Sequence, residues 1–416
     1  MQDVNAVTVA VPDAQPVSID IVDERVAVWA ASGAMALTGR SDRPPLGPPA
    51  PLVDRLVPVG RVLGIDALPL LAERAALLGL TRHGATSCGL ATRLLRARDG
   101  WFAVTLSRDD DVDAVPAWLE LDHPAPDVWT DVAAVVPHKT LEHLVTRGML
   151  LGLPVAALPT LEPSPRTDLP VAATPYAATA SKDRTPLVVD LSSLWAGPLC
   201  SHLLQRNGAR VVKVESAHRP DAARAGSADF FDLLNGGKES VVVDVRTHDG
   251  RRALQRLVAI ADVVIEASRP RALEQLGIVA DDVMRDEHGP TIWVSITGHG
   301  RDGEGAARVA FGDDAAVEGG LVVYDDHGPC FCADAIADPL TGMVAAAACL
   351  EHLRADNGRW LLDVAMANVA AHFAGPTLDA GESSSPAAPP IGRVATSRAA
   401  AFGRDTRAVL EELTVS

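Results

Sequence analysis

Two segments of the sequence combine residue types that bind an anion. Gly197 and Pro198 stand where an apolar run gives way to a helical segment, and the start of a helix directs its dipole and free N–H groups at an anion. The second segment is Asn-Gly-Gly-Lys at 235–238, where two glycines permit close backbone approach and Lys238 adds a positive charge. Both segments predict contacts to a phosphate-bearing ligand. The alternative at Gly197 is a tight turn followed by a helix-starting proline.

The elements that carry these segments alternate between apolar runs and longer stretches of helical period. The predicted strands are rich in Val and Ile, as expected of strands covered on both faces: 187–191, 211–214, 241–245, 263–265 and 292–296. The predicted helices between them include 199–206 and 251–260. This pattern predicts an α/β fold, a Rossmann-like and mostly parallel sheet with helices on both faces and right-handed crossovers.

Length, charge and cysteine spacing limit the class of protein. The chain has 416 residues, a length that indicates two domains or one large interlocked unit. Its formal net charge of −17 argues against nucleic acid as the main partner. The cysteines lack metal-ligand spacing, so no metal site is expected (Cys88, Cys200, Cys330, Cys332 and Cys349). We find no apolar run long enough for a membrane helix and no signal peptide core at the N-terminus. A reduced cytoplasmic location without a membrane partner is expected.

A stretch rich in Pro, Ala and Thr divides the chain. We expect an N-terminal region at 1–160, a connector at 161–186, a ligand-binding α/β domain at 187–375, and a C-terminal tail at 376–416 that ends in a helix.

The motifs of the α/β region resemble those of the class III CoA-transferase family. They read PLVVDLSS (186–193), WAGP (195–198), GARVVKVE (208–215), LNGGKESVVVDV (234–245), ADVVIEASRP (261–270) and WVSITGHG (293–300). Formyl-CoA transferase and α-methylacyl-CoA racemase belong to this CaiB/BaiF type. The resemblance implies a smaller α+β domain, which normally follows the α/β domain. Here its counterparts lie in 1–160, so the chain is similar to a rearranged or divergent member.

The resemblance implies that coenzyme A, as free CoA or acyl-CoA, is a substrate and that no cofactor is permanently bound. The residues that it assigns to CoA binding are Gly197, Lys213, Arg219, Asn235, Lys238 and Arg269. Family members usually carry Asn-Arg-Gly-Lys where this chain has Gly236, so one cation is missing from that loop. Arg219 and Arg224 are alternatively solvated loop residues.

The resemblance also implies an aspartate nucleophile in a motif of the type R-P-G-Y-D. With Arg308 and Gly320-Leu321 aligned, the tyrosine falls on Phe311 and the aspartate on Gly312, so Asp313 stands one residue late. One residue turns a helix by about 100°. A local slip returns Asp313 or Asp314 to the site, and Asp313 is therefore the predicted nucleophile. The alternative is that both aspartates only cap the helix.

The implied reaction moves CoA from an acyl-CoA to a small carboxylic acid through an aspartyl-CoA intermediate. Asp338, in the segment 336–342, corresponds to an aspartate that racemases of the family use for α-proton transfer, and it is the second predicted catalytic residue. Phe311 replaces the racemase histidine, which leaves His299 and His327 as substitutes. A non-catalytic, CoA-binding subunit is the third alternative. The family forms interlocked dimers, so we expect a homodimer, or a heteromer with a related chain.

Overall fold

The structure is a computed structural model that describes residues 24–159, 168–177, 184–355, 358–380 and 386–415. Parts of the predicted N-terminal region, connector and C-terminal tail therefore lie outside the described residues. The strands are β1 Thr92–Arg96, β2 Trp101–Thr105, β3 Val155–Ala157, β4 Ala172–Tyr176, β5 Leu187–Asp190, β6 Arg210–Ser216, β7 Glu239–Val243, β8 Val263–Glu266, β9 Ile292–Thr297, β10 Val322–Asp325, β11 Gly328–Phe331 and β12 Arg359–Ala365.

The α-helices are named in the same way along the chain. They are α1 Glu24–Ala31, α2 Leu52–Leu63, α3 Glu73–Leu78, α4 Asp109–Leu119, α5 Val128–Val135, α6 Leu141–Leu150, α7 Ala196–Arg206, α8 Ala228–Asn235, α9 His248–Ile260, α10 Pro270–Glu274, α11 Ala280–Arg285, α12 Gly312–Glu318, α13 Ala337–Ala355, α14 Met366–Phe373 and α15 Thr406–Val415.

A seven-stranded sheet forms the centre of the molecule, in the order β4-β12-β9-β8-β5-β6-β7. All pairs are parallel except β4 with β12, so the predicted α/β fold with a mostly parallel sheet is confirmed. Each of the five strands predicted from the Val- and Ile-rich runs is present, with ends that differ by a few residues. Their side chains are buried because helices cover both faces of the sheet.

The predicted connector contributes an edge strand to this sheet. Within 161–186 the described residues 172–176 form β4, which pairs antiparallel with β12. Pro175 lies in this strand, and a proline is tolerated there because one side of an edge strand needs no ladder donor. The strand was not predicted because its sequence is rich in Pro, Ala and Thr, a composition typical of a connector.

A smaller layer is built from the first part of the chain. Strands β1, β2 and β3 form an antiparallel sheet, and α4, α5 and α6 cover it. Phe102 and Trp118 pack edge to face in its core with ring centroids 6.1 Å apart. Residues 26–71 instead share the main core with the large sheet. The boundary at residue 160 thus remains a prediction, because the N-terminal region is divided between two cores.

Helix α13 packs in the main core against α7, α2, β9 and β12. It is apolar around most of its circumference and buried from Ala337 to Leu350 except at Asp338, as a core helix should be. Gly342 lets it approach α7 closely, since a Cβ there would lie 2.6 Å from Ala196 O and 3.0 Å from Leu199 Cβ. The N-terminal end of α13 is therefore fixed beside the start of α7.

Candidate functional site

The strand order reverses at the carboxyl ends of β5 and β8, and we call the space between the two loops that follow these strands the crevice. From β5 the chain continues to β6 and β7 on one side and then returns to β8, β9 and β12 on the other. Open α/β sheets bind ligands at such a reversal of strand order. Residues 191–195 and 267–269 form the two loops that border it. Leu194 is exposed there with a φ of 69°, so the first loop turns sharply before α7 begins.

Protein groups surround Lys238, one of the residues predicted to bind CoA. Its Nζ lies 3.2 Å from Asp190 Oδ2 and 3.1 Å from Asn235 Oδ1, and it donates to Pro198 O at 2.9 Å and Ser201 Oγ at 2.7 Å. Burial lowers the pKa of Lys238 to about 8, although the Asp190 carboxylate opposes this shift. The ammonium therefore connects β5 to α7, and its contact with a phosphate remains a prediction.

Three other residues predicted to bind CoA are enclosed in the same way. Lys213 pairs with Asp221 at 2.9 Å and donates to Ser192 O at 3.0 Å. Asn235 is buried and holds Lys238. Gly197 is buried, and a side chain at this position would overlap the side chain of Ser192. In this structure Lys213 and Gly197 support the loop after β5 through their contacts with Ser192.

Two predicted cations are exposed at the sheet edge. Arg219 follows β6, and Arg269 is the N-cap residue of α10, directly after β8. Arg224, the alternative in the loop after β6, instead pairs with buried Glu215, with Nε to Oε1 at 2.9 Å. Arg219 and Arg269 are thus the two of the six predicted residues whose charges face solvent near the crevice.

Three carboxylates converge where α12 and α13 begin, and we call Asp313, Asp334 and Asp338 the acid cluster. The loop that joins β11 to α13 holds them together. Ala335 N–H donates to Asp313 Oδ1 at 3.1 Å, and Asp338 N–H donates to Ala335 O at 2.9 Å. Asp334, which lies between them in the sequence, is fully buried. The structure therefore brings both predicted catalytic residues, Asp313 and Asp338, into one site.

Gly312 lies against this cluster without room for a side chain. A Cβ at Gly312 would overlap both Ala335 O and Asp338 Oδ2. The backbone N–H of Gly312 lowers the pKa of Asp338, which places this N–H next to the Asp338 carboxylate. The position where the motif comparison expects the nucleophile is thus filled by the carboxylate of Asp338, which reaches it from α13.

One guanidinium from the N-terminal part of the chain serves the acid cluster. Arg74, on α3, forms a two-pronged pair with Asp334, with Nε to Oδ2 at 2.8 Å and Nη2 to Oδ1 at 2.6 Å. Its Cζ also lies 5.0 Å from the ring centroid of Trp195, in the loop after β5. Arg74 and Asp334 were not among the residues predicted from sequence. Their pair links the cluster to the crevice loop.

Burial sets the protonation of the cluster. It raises the pKa of Asp313 to about 6, helped by the charge of Asp334 and opposed by Arg74. It raises the pKa of Asp338 to about 7, where Arg74 opposes the shift and Asp313 and Asp334 add to it. Like charges this close disfavour each other. Near neutral pH, Asp313 and Asp338 together therefore carry less negative charge than two carboxylates in water.

Asp313 and Asp314 are occupied by protein donors at the start of α12. Asp313 Oδ2 accepts from Thr92 Oγ1 at 3.3 Å, and its Oδ1 accepts from the backbone. Asp314 Oδ1 accepts from Thr105 Oγ1 at 2.8 Å and from Phe311 N–H at 3.0 Å. Asp314 therefore has the capping role that the sequence left open as an alternative, whereas the hydrogen-bond partners of Asp313 lie outside α12. Burial raises the pKa of Asp314 further, to about 8.

The loop that carries Asp334 is strained. Ala333 has a φ of 55° and Ala335 a φ of 42°, in the left-handed region that L residues with a Cβ seldom adopt. Each such residue costs about 1–3 kcal/mol, and such residues concentrate at functional sites. Ala335 uses this conformation to donate its N–H to Asp313 while its carbonyl accepts from Asp338 N–H. The hydrogen bonds of the cluster therefore hold this loop in its strained conformation.

Asp338 is the most exposed member of the cluster. It is half-buried, whereas Asp334 is fully buried and Asp313 is only 9% exposed. Residues four apart lie on one face of a helix, so Asp338 shares a face of α13 with Gly342, which contacts α7 at Ala196. Asp338 thus lies about one turn of α13 from this contact with the start of α7.

The two histidines considered for proton transfer lie elsewhere. His299 Nδ1 is 3.0 Å from Glu318 Oε1, and Glu318 is also paired with Arg308. His327 is exposed on the β10–β11 hairpin. Within the described chain, neither ring is a hydrogen-bond partner of Asp338. A base opposite Asp338, as a racemase requires, is therefore not provided by these residues in this structure.

A cavity of about 910 Å³ lies apart from the acid cluster. It runs along α2 and reaches Ala347 and Glu351 of α13, which lie about 14 Å and about 20 Å along the helix axis from Asp338. In the residues that the structure describes, no group of His, Cys, Asp and Glu is arranged to hold a metal ion. No helix in the same residues is long and apolar enough to cross a membrane.

Comparison with known proteins identifies a family. The family model described as CoA-transferase family III matches residues 186–402, just over half of the chain. Similar curated proteins include an acyl-CoA transferase of Fusarium pseudograminearum, 32% identical over 34% of this chain and 35% of that protein. Another is the succinyl-CoA–D-citramalate CoA-transferase of Chloroflexus aurantiacus, 30% identical over 38% of this chain and 42% of the relative.

A third relative is the succinate–glutarate CoA-transferase of Agrobacterium fabrum, 30% identical over 44% of this chain and 50% of that protein. The chain thus spans between 35% and 50% of the length of these curated relatives. Among solved structures, a CaiB/BaiF family protein from Brucella suis is 30% identical with a TM-score of 0.41, over 45% of this chain and 53% of that chain.

Proposed function

The chain belongs to CoA-transferase family III, and from this premise we propose that it moves CoA from an acyl-CoA to a small carboxylic acid, with Asp338 as nucleophile. The family predicted from the sequence motifs is thereby confirmed. The observation that carries the proposal is the position of Asp338, a half-buried carboxylate on the face of α13 that packs against α7 beside the crevice.

The surroundings of Asp338 favour it over Asp313, the nucleophile predicted from the motif. Both oxygens of Asp313 accept hydrogen bonds, one from Thr92 and one from Ala335, and these bonds reduce the lone pairs available for attack and hold the carboxylate in place. An attacking oxygen must come within about 3–3.5 Å of the thioester carbon. Asp338 is more exposed than Asp313, so the smaller rearrangement brings a thioester to it. A supporting role for Asp313 follows.

The proposed reaction proceeds by two exchanges at one carboxylate. The Asp338 oxygen attacks the thioester carbonyl, the C–S bond breaks, and CoA leaves as a thiolate while a mixed anhydride forms. The thiolate then attacks the Asp338 carbonyl carbon and releases the donor acid as a carboxylate, which leaves an aspartyl-CoA thioester. The acceptor carboxylate repeats both steps in reverse order. No proton is consumed, and the Asp338 carboxylate is regenerated.

The acid cluster sets the pH range of this chemistry. Attack needs the ionised form of Asp338, whose pKa burial raises to about 7 in opposition to Arg74. A carboxylate with a raised pKa is also a stronger nucleophile when ionised, since basicity and nucleophilicity rise together. The rate of exchange is therefore expected to increase with pH through about 7.

The substrate class is proposed from the relatives. The proteins from Chloroflexus and Agrobacterium are named for succinyl-CoA or succinate and for dicarboxylic acceptors. We therefore place short dicarboxylic acids first among acyl donors and acceptors. CoA acts as a substrate, with no permanently bound cofactor. The two exposed cations at the sheet edge, Arg219 and Arg269, are the residues that we assign to its phosphate groups.

An isotope-exchange assay tests the function with donor and acceptor derived from the same acid. Succinyl-, glutaryl-, acetyl- and isobutyryl-CoA are each incubated with their own ¹³C-labelled free acid, and mass spectrometry follows label in the thioester. The wild-type protein is expected to exchange at least one pair. Asp338→Asn should lower that rate by about a thousandfold or more, as loss of a nucleophile does. Asp313→Asn is the matched control and should retain exchange within about tenfold.

The opposite ranking of the two variants would assign the nucleophile to Asp313. A CoA-binding, non-catalytic subunit is the second candidate, and it rests on Gly312, which stands where the motif comparison expects the nucleophile. That role predicts CoA binding by calorimetry without exchange in any pair. A racemase ranks below both, because His299 is committed to Glu318.

The partner and location are proposals of the same kind. Family resemblance favours an interlocked homodimer or a heteromer with a related chain, in the cytoplasm. Light scattering of the purified protein measures this directly: a mass near twice that of one chain supports the homodimer, and a single-chain mass that persists at high concentration contradicts it.

A further inference from the structure

We infer that Arg74 is a positioning residue of the site: clamped by Asp334 and laid against Trp195, its guanidinium fixes the acid cluster beside the crevice and supplies the counter-charge for the Asp338 carboxylate. This inference rests on the proposed function only for its catalytic meaning. The contacts that support it lie within the described residues.

The first support is the geometry of the pair. Arg74 meets Asp334 with two nitrogens at 2.8 and 2.6 Å, and Asp334 has no exposed surface. A two-pronged pair fixes the plane of the guanidinium as well as its distance. Asp334 lies between Ala333 and Ala335, the two residues with positive φ. The pair therefore holds the strained loop. In this loop, Ala335 donates its N–H to Asp313 and accepts a hydrogen bond from the N–H of Asp338.

The second support is the other face of the guanidinium. Its Cζ is 5.0 Å from the Trp195 ring centroid, within the range of a cation–π contact. Trp195 is buried and directly precedes α7, at the end of the loop that borders the crevice. Arg74 thus touches both walls: the loop after β5 on one side and the acid cluster on the other.

The third support is the balance of charge. The groups that face Asp338 are Arg74 from α3, Asp313 from α12, Asp334 from the adjacent loop, and the Gly312 N–H. Arg74 is the cation of this set, and it lowers the pKa of both Asp313 and Asp338 in opposition to burial. Without it, three carboxylates would share a buried site with no opposite charge.

The neighbouring residue on α3 offers a matched control. Glu73 forms a similar pair with Arg393, with distances of 2.7 and 2.8 Å. The exposed fractions of the two pairs also match, since the arginines are 25% and 24% exposed and the acids 0% and 1%. Arg393 also contacts a ring nitrogen of His202 on α7 at 3.2 Å.

The test compares Arg74→Met, Arg74→Lys and Arg393→Met in full-length protein with ¹³C-carboxyl-labelled aspartate. The Asp338 signal is assigned from its loss in Asp338→Asn, and its titration midpoint is read by NMR, which needs no turnover. Arg74→Met should raise the midpoint by about one pH unit or more, since an adjacent opposite charge shifts a carboxyl by about that much. Arg74→Lys should recover part of the shift. Arg393→Met should leave the midpoint unchanged.

The two hypotheses fail in different ways. An unchanged midpoint in folded Arg74→Met, with wild-type exchange intact, overturns the inference about Arg74 and leaves the proposed function standing. A raised midpoint in a protein that exchanges no acyl-CoA pair overturns the proposed function and supports the role of Arg74. An equal shift in Arg393→Met assigns the effect to loss of any buried pair on α3, and this also overturns the inference.

Discussion

Asp314 offers the most quantitative prediction, because burial raises its pKa to about 8 while Thr105 and Phe311 oppose the shift. In the unfolded chain an aspartate titrates near about 3.9. A group whose folded pKa is raised stabilises the fold fully below the unfolded pKa, and this contribution is lost as the pH rises through the folded pKa. One proton retained by the folded state alone changes the unfolding free energy by about 1.4 kcal/mol per pH unit.

Asp314→Asn removes that proton and keeps the size of the neutral carboxyl. Between pH 6.5 and 7.5 the free energy of unfolding should therefore fall less steeply in the variant than in the wild type, by about 1 kcal/mol per pH unit. The lowered pKa values of His202 and His372, about 3 and about 4, act in the opposite sense at lower pH, so this interval avoids them. Urea unfolding at five pH values provides the measurement. Equal slopes in the two proteins would show that Asp314 is ionised in the fold.

Three further predictions concern Gly312, Lys238 and Arg269. Gly312→Ala should cost about 1–3 kcal/mol of unfolding free energy and lower exchange, because its Cβ overlaps Asp338 and Ala335; wild-type stability would contradict this packing. Lys238→Met should lower the free energy of unfolding by about 3 kcal/mol, since it leaves buried Asp190 without its paired cation. Urea unfolding measures this change, and an unchanged stability would contradict the structural role and favour a contact between Lys238 and a ligand. Arg269→Ala should raise the Kd for CoA about tenfold in calorimetry with an unchanged Tm, as loss of an exposed phosphate contact would; unchanged affinity would remove Arg269 from the site.

The sheet could be predicted from sequence because its signal is local. Short Val- and Ile-rich runs at 187–190 and 263–266 are typical of strands buried on both faces, and the helices between them favour parallel pairing. The edge strand β4 carries no such signal, since its residues are mostly exposed and include Pro175. This strand forms because it pairs with β12, and the local sequence alone does not indicate that contact.

The candidate site could be predicted only in part, for the same reason. Asp313 and Asp338 were found because each lies in a recognisable motif, but Arg74 is more than 200 residues away and becomes a neighbour only through folding. Lys238 has the residue type of a phosphate ligand, yet its four protein partners come from β5, α7 and α8. A spacing rule identifies residue types, whereas burial and partners decide which charges remain for a ligand.

The covalent intermediate provides the most direct measurement of the central claim. The protein is incubated with an acyl-CoA that it exchanges, quenched with hydroxylamine, digested and sequenced by mass spectrometry. The account predicts a hydroxamate on Asp338 that is absent from Asp338→Asn and present in Asp313→Asn. A hydroxamate on Asp313 or Asp314, or rapid exchange with an unmodified Asp338, would contradict it.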